Sequence, residues 1–290
     1  MKRNDLILGV LVMVVWGLNF SVIKLGVNEI DPLLLTALRF SLATLPAIFF
    51  VKKPNVSWLY LIVYGWLFAI GIWGMATWSI QAGLSAGMAS VLLQMNVVFG
   101  LFLGYFLLKE TLSINKIIGS ALAIIGLLLC LTVTNGSITQ SGLILILCAA
   151  LAWSLASITV KKAAPKQVFA FSLWAMACAP IPLFLMVYWQ SGSLPFNTLS
   201  TQLNGRVIFS VLFQAYPVTL LGYWIWNRLL ISYPLTMVAP LTLLVPIFGL
   251  LGGALFYQEQ ISAVTLVASL CVISGVFVGF ISFKPFKKWV

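Results

Sequence analysis

The sequence predicts an all-α polytopic membrane protein, ten transmembrane helices arranged as two inverted five-helix repeats. Three observations carry this. Of 290 residues, 62% are hydrophobic and 7% charged, with mean hydropathy +1.12, whereas a soluble domain carries about 25% charged residues. Apolar stretches of roughly 20 residues, each able to cross ~30 Å of hydrocarbon, follow one another almost without pause. The chain also repeats itself at long range.

The first span, 6–26, follows Lys2 and Arg3. Its apolar run exceeds the ~15 residues of a secretory leader and meets no small-residue cleavage site, so it reads as a retained helix. Span two, 33–51, carries Arg39 inside it; span three, 59–81, is aromatic, with Trp66, Trp73 and Trp78. Span four, 86–108, holds Ser90 and Gln94, and span five, 114–134, closes the first half. The second half follows with spans 142–160, 168–190, 207–230, 236–256 and 262–283, the eighth carrying Tyr216 and Pro217 and the ninth Pro240, Thr242 and Pro246. Connections are too short to hide a soluble domain. The longest, 191–206, contains Gly192, Pro195 and Gly205 and reads as an exposed loop.

With the N-terminus in the cytoplasm, alternation places Lys2, Arg3, Lys52, Lys53, Lys109, Lys116, Lys161, Lys162, Lys166, Arg228, Lys284, Lys287 and Lys288 at cytoplasmic span ends, 13 of the 16 basic residues. Only Lys24 and Arg206 fall on the other side, so both termini are expected in the cytoplasm. The net charge of +11 is therefore read as topology rather than a nucleic-acid surface. Cys130, Cys148, Cys178 and Cys271 lie in apolar stretches without paired spacing and read as small hydrophobes, with no disulfide or metal expected.

Trp16, Leu18 and Lys24 recur as Trp153, Leu155 and Lys161 at an offset of 137, and Phe99, Gly100, Leu101, Gly104, Glu110 and Ser113 recur as Phe248, Gly249, Leu250, Gly253, Glu259 and Ser262 at an offset of 149. The offsets differ by 12, which fits an insertion in the 191–206 loop. The repeat boundary is expected near 137, giving halves 1–137 and 138–290. Five spans per half invert the second half relative to the first, as in many carriers with a midplane site. Gly100/Gly104 and Gly249/Gly253 are small pairs four apart and are expected to allow close helix approach.

Trp16-Gly-Leu-Asn-Phe, Leu38-Arg39-Phe40, the run 86–94, Gly222-Tyr-Trp-Ile-Trp, and Val238-Ala-Pro240 through Pro246 with Glu259 after it resemble the EamA family of the drug/metabolite transporter superfamily. The resemblance spans the whole chain and is nearest to the family's exporters of cysteine and O-acetylserine. It implies a carrier in a bacterial inner membrane that exports amino acids or related metabolites. Relatives among small multidrug exporters bind cations through an intramembrane Glu. Here Asp5, Glu29, Asp31, Glu110 and Glu259 all sit at span ends or in loops, which argues for anionic or zwitterionic cargo.

The candidate substrate residues are Arg39, Asn19, Gln94, Trp16, Trp73, Ser90 and Tyr216. A mid-membrane Arg costs ~2.5–3.5 kcal/mol even on the lenient insertion scale. Arg39 is therefore either a fixed charge for a substrate carboxylate or, lying ~9 Å inside its span, a snorkelling side chain. Trp16 and Asn19 share a face three residues apart, as Ser90 and Gln94 do at four. Their polar groups either contact substrate or bind neighbouring helices. Pro240, Thr242 and Pro246 are expected to line the cavity or form a hinge, because proline frees backbone carbonyls.

The chain has no histidine and no Walker sequence, and its acids lie at span ends or in loops, which argues against an intramembrane enzyme or an ATPase. No cofactor is expected; the expected partners are a small-molecule substrate and the lipid bilayer, with no nucleic acid and oligomeric state open. The alternatives are a carrier of sugar-phosphate-like or uncharged solutes, and a non-transporting scaffold. The expected mechanism is alternating access, with the halves rocking about the site.

Overall fold

The computed structural model describes residues 1–109, 113–133, 136–233 and 235–280. Glu110, Thr134, Pro234, Lys284, Lys287 and Lys288, and the end of the tenth expected span, lie outside the described residues. All regular elements described are helical. Among the described residues the ten principal helices, in chain order, are α1 (Arg3–Val27), α2 (Pro32–Ile48), α3 (Trp58–Gln81), α4 (Ala86–Leu107), α5 (Ile114–Cys130), α6 (Gln140–Ala163), α7 (Val168–Ser191), α8 (Gly205–Ser232), α9 (Pro240–Tyr257) and α10 (Ala263–Gly279). Seven are long and apolar enough to cross a membrane, and α2, α5 and α10 are shorter apolar helices of 10–17 residues. Leu45, Phe50, Trp189, Ile231 and Leu255 point outward around the bundle. Such an apolar exterior suits lipid and not water.

Several helix starts are set by capping side chains at the ends of the apolar runs. Asp31 accepts from Leu33 N at 2.9 Å and Leu34 N at 3.0 Å, with Pro32 supplying the first turn of α2. Ser85, Thr139 and Asn204 cap α4, α6 and α8 in the same way. The 191–206 segment departs from the expected loop: it contains a short surface helix, Leu194–Gln202, whose first turn holds Pro195, where a missing N–H costs nothing. Helix α7 is interrupted between Met176 and Pro180, because proline cannot continue the hydrogen-bond ladder. Pro182 leaves the Cys178 carbonyl free, and Trp66 Nε1 donates to it at 3.2 Å.

Glycines set the closest approaches. A Cβ on Gly119 would run into the Gly275 carbonyl, and one on Gly126 into Ala268, so α5 and α10 meet backbone to backbone. The expected close approach holds for Gly249, beside Ser90 of α4, and for Gly253, beside Gly87 and Glu259. It does not hold for Gly100, whose nearest neighbour is Ser154 Oγ at 3.8 Å; α4 faces a small side chain there rather than a neighbouring backbone.

The two halves share their irregularities. A π-helical stretch occupies Leu67–Gly74 in α3 and Gln214–Leu221 in α8. A 3-10 stretch occupies Leu93–Met95 in α4 and Ala239–Leu243 at the start of α9. The left-handed residues Lys109 and Gln258 end α4 and α9 alike. The sequence repeat is thus also a repeat of backbone distortions, and the architecture is two inverted five-helix units.

Candidate functional site

Among the described residues Arg39 is the largest fully buried side chain, at 0% exposure. Its neighbours come from the π segments of both halves. From α8, Thr219 Oγ1 accepts from Arg39 Nε at 3.1 Å and from Nη2 at 3.0 Å, and Gln214 Oε1 lies 3.4 Å from Nη1. From α3, the Trp73 ring lies 4.3 Å from the guanidinium carbon, with Phe40 on α2 at 5.1 Å. No carboxylate among the described residues pairs with Arg39. A guanidinium offers five donors, and three weak or shared contacts to neutral groups leave it able to take a carboxylate bidentately. The snorkelling alternative does not fit a side chain this deeply enclosed.

The π geometry explains the arrangement. Thr219 Oγ1 donates to the Gln214 carbonyl five residues back at 2.7 Å, and Gln214 Nε2 donates to Ser210 Oγ at 3.0 Å. Five residues apart are well separated around an α-helix but stack in a π turn, so both polar groups reach one guanidinium. Pro217 lies inside this stretch and cannot supply an α-helical N–H.

Helix α1 runs antiparallel along α8. Trp16 Nε1 donates to the Val218 carbonyl at 3.1 Å, and Ser210 Oγ donates to the Val22 carbonyl at 2.7 Å. By register, Asn19 lies between them, level with Gln214. It is fully buried, and neither of its side-chain polar atoms has a partner. Such an amide in a dry interior costs about 1–3 kcal/mol, a cost a polar ligand would remove. Aromatic rings enclose the rest: Phe20 to Trp73 at 6.2 Å, Trp16 to Tyr223 at 5.0 Å, Phe68 to Tyr223 at 5.4 Å and Tyr64 to Phe171 at 5.0 Å.

The other sequence candidates assemble elsewhere. Pro246 lacks the N–H that would bond the Thr242 carbonyl, and Gln94 Nε2 approaches that carbonyl at 3.4 Å. Ser90 Oγ donates to the Gly87 carbonyl at 2.6 Å and faces the Pro246 carbonyl at 3.5 Å. Ser90, Gln94, Thr242 and Pro246 therefore meet at the α4–α9 interface, and Pro240 lies in the 3-10 stretch that opens α9. Tyr216 is 38% exposed and lines an outward apolar groove of about 460 Å³ with Pro217, Leu220 and Trp224, apart from Arg39. Sequence reasoning missed Gln214 and Thr219, and quoted Tyr223 only within the Gly222–Trp226 motif, without a site role. The signal for Gln214 and Thr219 was polar side chains in the middle of an apolar span, flanking Pro217.

Ionic contacts tie α1 to its neighbours at both ends. At its start, Asp5 accepts from Tyr233 Oη at 2.6 Å and lies 3.9 Å from Arg228. Beyond its far end, Glu29 accepts from Asn204 Nδ2 at 2.8 Å and Arg206 Nη1 at 3.1 Å. The Asn204 bond, then that of Arg206, hold the Glu29 carboxyl below its ordinary value. Also near that end, Lys24 Nζ pairs with Glu259 at 2.8 Å.

The sequence profile of the EamA-like transporter family matches this chain twice, over residues 4–132 and 140–281. A protein of Salmonella typhimurium named "Probable amino-acid metabolite efflux pump" is 37% identical over 290 residues, covering 98% of this chain and 97% of the relative. A protein of the same name from Escherichia coli is 34% identical over 284 residues, covering 96% of this chain and 95% of the relative. A crystal structure 15% identical in sequence superimposes with a TM-score of 0.61, covering 96% of this chain and 98% of that one, which shows a shared fold.

Proposed function

The chain belongs to the EamA-like transporter family, and from that premise we propose that it exports amino acids or closely related metabolites, of the cysteine and O-acetylserine kind, across a bacterial inner membrane. A multi-pass membrane transporter follows from the family; the cargo is our reading. The observation that carries it is the buried Arg39 guanidinium, held by the neutral groups of Thr219 and Gln214 and by the Trp73 ring. One fixed positive charge in an aromatic enclosure suits one carboxylate. The names of the Salmonella typhimurium and Escherichia coli relatives point to the same class of cargo.

In this reading Arg39 takes the solute carboxylate and Asn19 takes a polar group of the solute, with Trp16 and Trp73 walling the apolar part. Ser90 and Gln94 hold α4 to α9, where Pro240, Thr242 and Pro246 let the helix flex. Tyr216 lines the outer groove. The units that rock are 1–137 and 138–290, with both termini cytoplasmic. The test is counterflow of labelled cysteine and O-acetylserine, with a panel of other amino acids, in proteoliposomes. Saturable exchange of at least one is expected. Exchange of none, by protein that is folded and monodisperse, would overturn the cargo assignment.

A further inference from the structure

On the face opposite the N-terminus, the ends of α1, α3 and α9 and the starts of α4 and α6 surround a polar cavity of about 300 Å³, lined by Lys24, Ser85, Gln258, Glu259 and Gln260 among others. Resting on the export of amino acids proposed above, we propose that this cavity is an exit site for a zwitterionic solute. Lys24 takes the solute carboxylate, Glu259 takes its ammonium, and the ion pair between the two residues is the lock that opens.

Glu259 is the fixed half. Its Oε1 accepts from Ala86 N at 2.9 Å and its Oε2 from Gly87 N at 3.1 Å. Gly253 leaves room for the carboxylate, since a Cβ there would run into it, and a Cβ on Gly87 would come within 3.2 Å of Oε2. Two backbone donors satisfy much of an ionised carboxylate, so Glu259 stays paired when Lys24 leaves. Lys24 is the movable half: it reaches Oε1 at 2.8 Å from a flexible stem, with its side chain 26% exposed against 11% for Glu259. The Tyr257 ring lies 4.6 Å beneath its ammonium, and the Tyr257 hydroxyl donates to the Ser21 carbonyl at 2.8 Å. The closed pair thus joins α1, α4 and α9 one turn above the buried Ser21.

A zwitterion suits this lock because it exchanges one pair for two. Its ammonium takes the place of Lys24 on Oε1, and its carboxylate follows the released Lys24, so every charge keeps a partner. An anion or a cation alone satisfies only one side. Arg39 offers a carboxylate site without an acid, whereas this cavity offers both signs. It is therefore suited to the step in which the solute leaves.

The test uses the full chain with its four cysteines replaced by serine and Ser21→Cys as reporter, in proteoliposomes exposed to a membrane-impermeant maleimide. Slow labelling is expected in this background and in Lys24→Arg. Lys24→Met and Glu259→Gln should each label about tenfold faster, the population shift expected from losing a charge-assisted bond. External O-acetylserine should accelerate the background similarly, while N-acetylserine and serinamide should not. The proposal falls if both charge-removing variants label at the background rate, or if N-acetylserine acts as strongly as O-acetylserine. Counterflow in the same vesicles separates the two readings. Its absence for every amino acid with the labelling response intact overturns the export reading alone, and its presence without the response overturns the exit site alone.

Discussion

Arg39 shows which single residues declare themselves in a sequence. A guanidinium inside an apolar span is costly enough that its presence demands a role, and the structure places it under full burial between Thr219, Gln214 and Trp73. Gln214 and Thr219 did not declare themselves, because amides and hydroxyls are tolerated in spans as helix-to-helix glue. Their five-residue spacing also points them apart until a π turn aligns them. Thr219→Val should leave Arg39 Nε and Nη2 without their acceptor and cost about 1–3 kcal/mol, read as a lower thermal midpoint in detergent. Thr219→Ser should restore it. Equal midpoints for parent and Val variant would show that Thr219 does not hold the guanidinium.

At the scale of elements, the positions of the spans were legible from hydropathy alone, while their interruptions were not. A run of apolar residues looks the same whether its backbone is α, π or 3-10, so the matched distortions of α3 with α8 and α4 with α9 emerge only in three dimensions. The small-residue pattern was half legible: Gly249 and Gly253 pack closely, Gly100 does not, and Gly119 against Gly275 is a backbone-to-backbone contact that the pattern did not single out. Gly119→Leu should force α5 from α10 and cost at least the 1–3 kcal/mol of an overpacked core, seen as loss of the monodisperse peak on size exclusion; an unchanged elution profile would refute the contact. The tie between Glu29 and the start of α8 gives a pH prediction. Its carboxyl is held below the ordinary value in the folded state, so its stabilisation is complete above the unfolded value near 4.5 and is lost as pH falls through the lowered folded value. The midpoint difference between parent and Glu29→Gln should therefore shrink on acidification. A difference that grew as pH fell would reverse the sign assigned to Glu29.

For the whole molecule, composition and internal repetition were enough to read a ten-span inverted-repeat carrier, because both are global properties that survive local irregularity. The centre of the bundle was less legible, since its chemistry is assembled from α1, α2, α3 and α8, and residues distant in sequence meet only after packing. Orientation rests on the basic residues at span ends. Cysteine introduced at Asn204 should react with an impermeant reagent from outside intact cells, and cysteine at Lys52 should react only after permeabilisation; the opposite pattern would invert the topology.

The central claim is that Arg39 receives the carboxylate of the transported solute. It is tested most directly by counterflow of labelled O-acetylserine through parent and Arg39→Ala protein reconstituted at equal density. The account predicts saturable exchange in the parent, inhibited by unlabelled amino acid but not by its carboxamide, and exchange at least about tenfold slower in the variant, as loss of one charge-assisted bond to the solute implies. Exchange by Arg39→Ala at the parent rate, with the same preference for the free carboxylate, would contradict it.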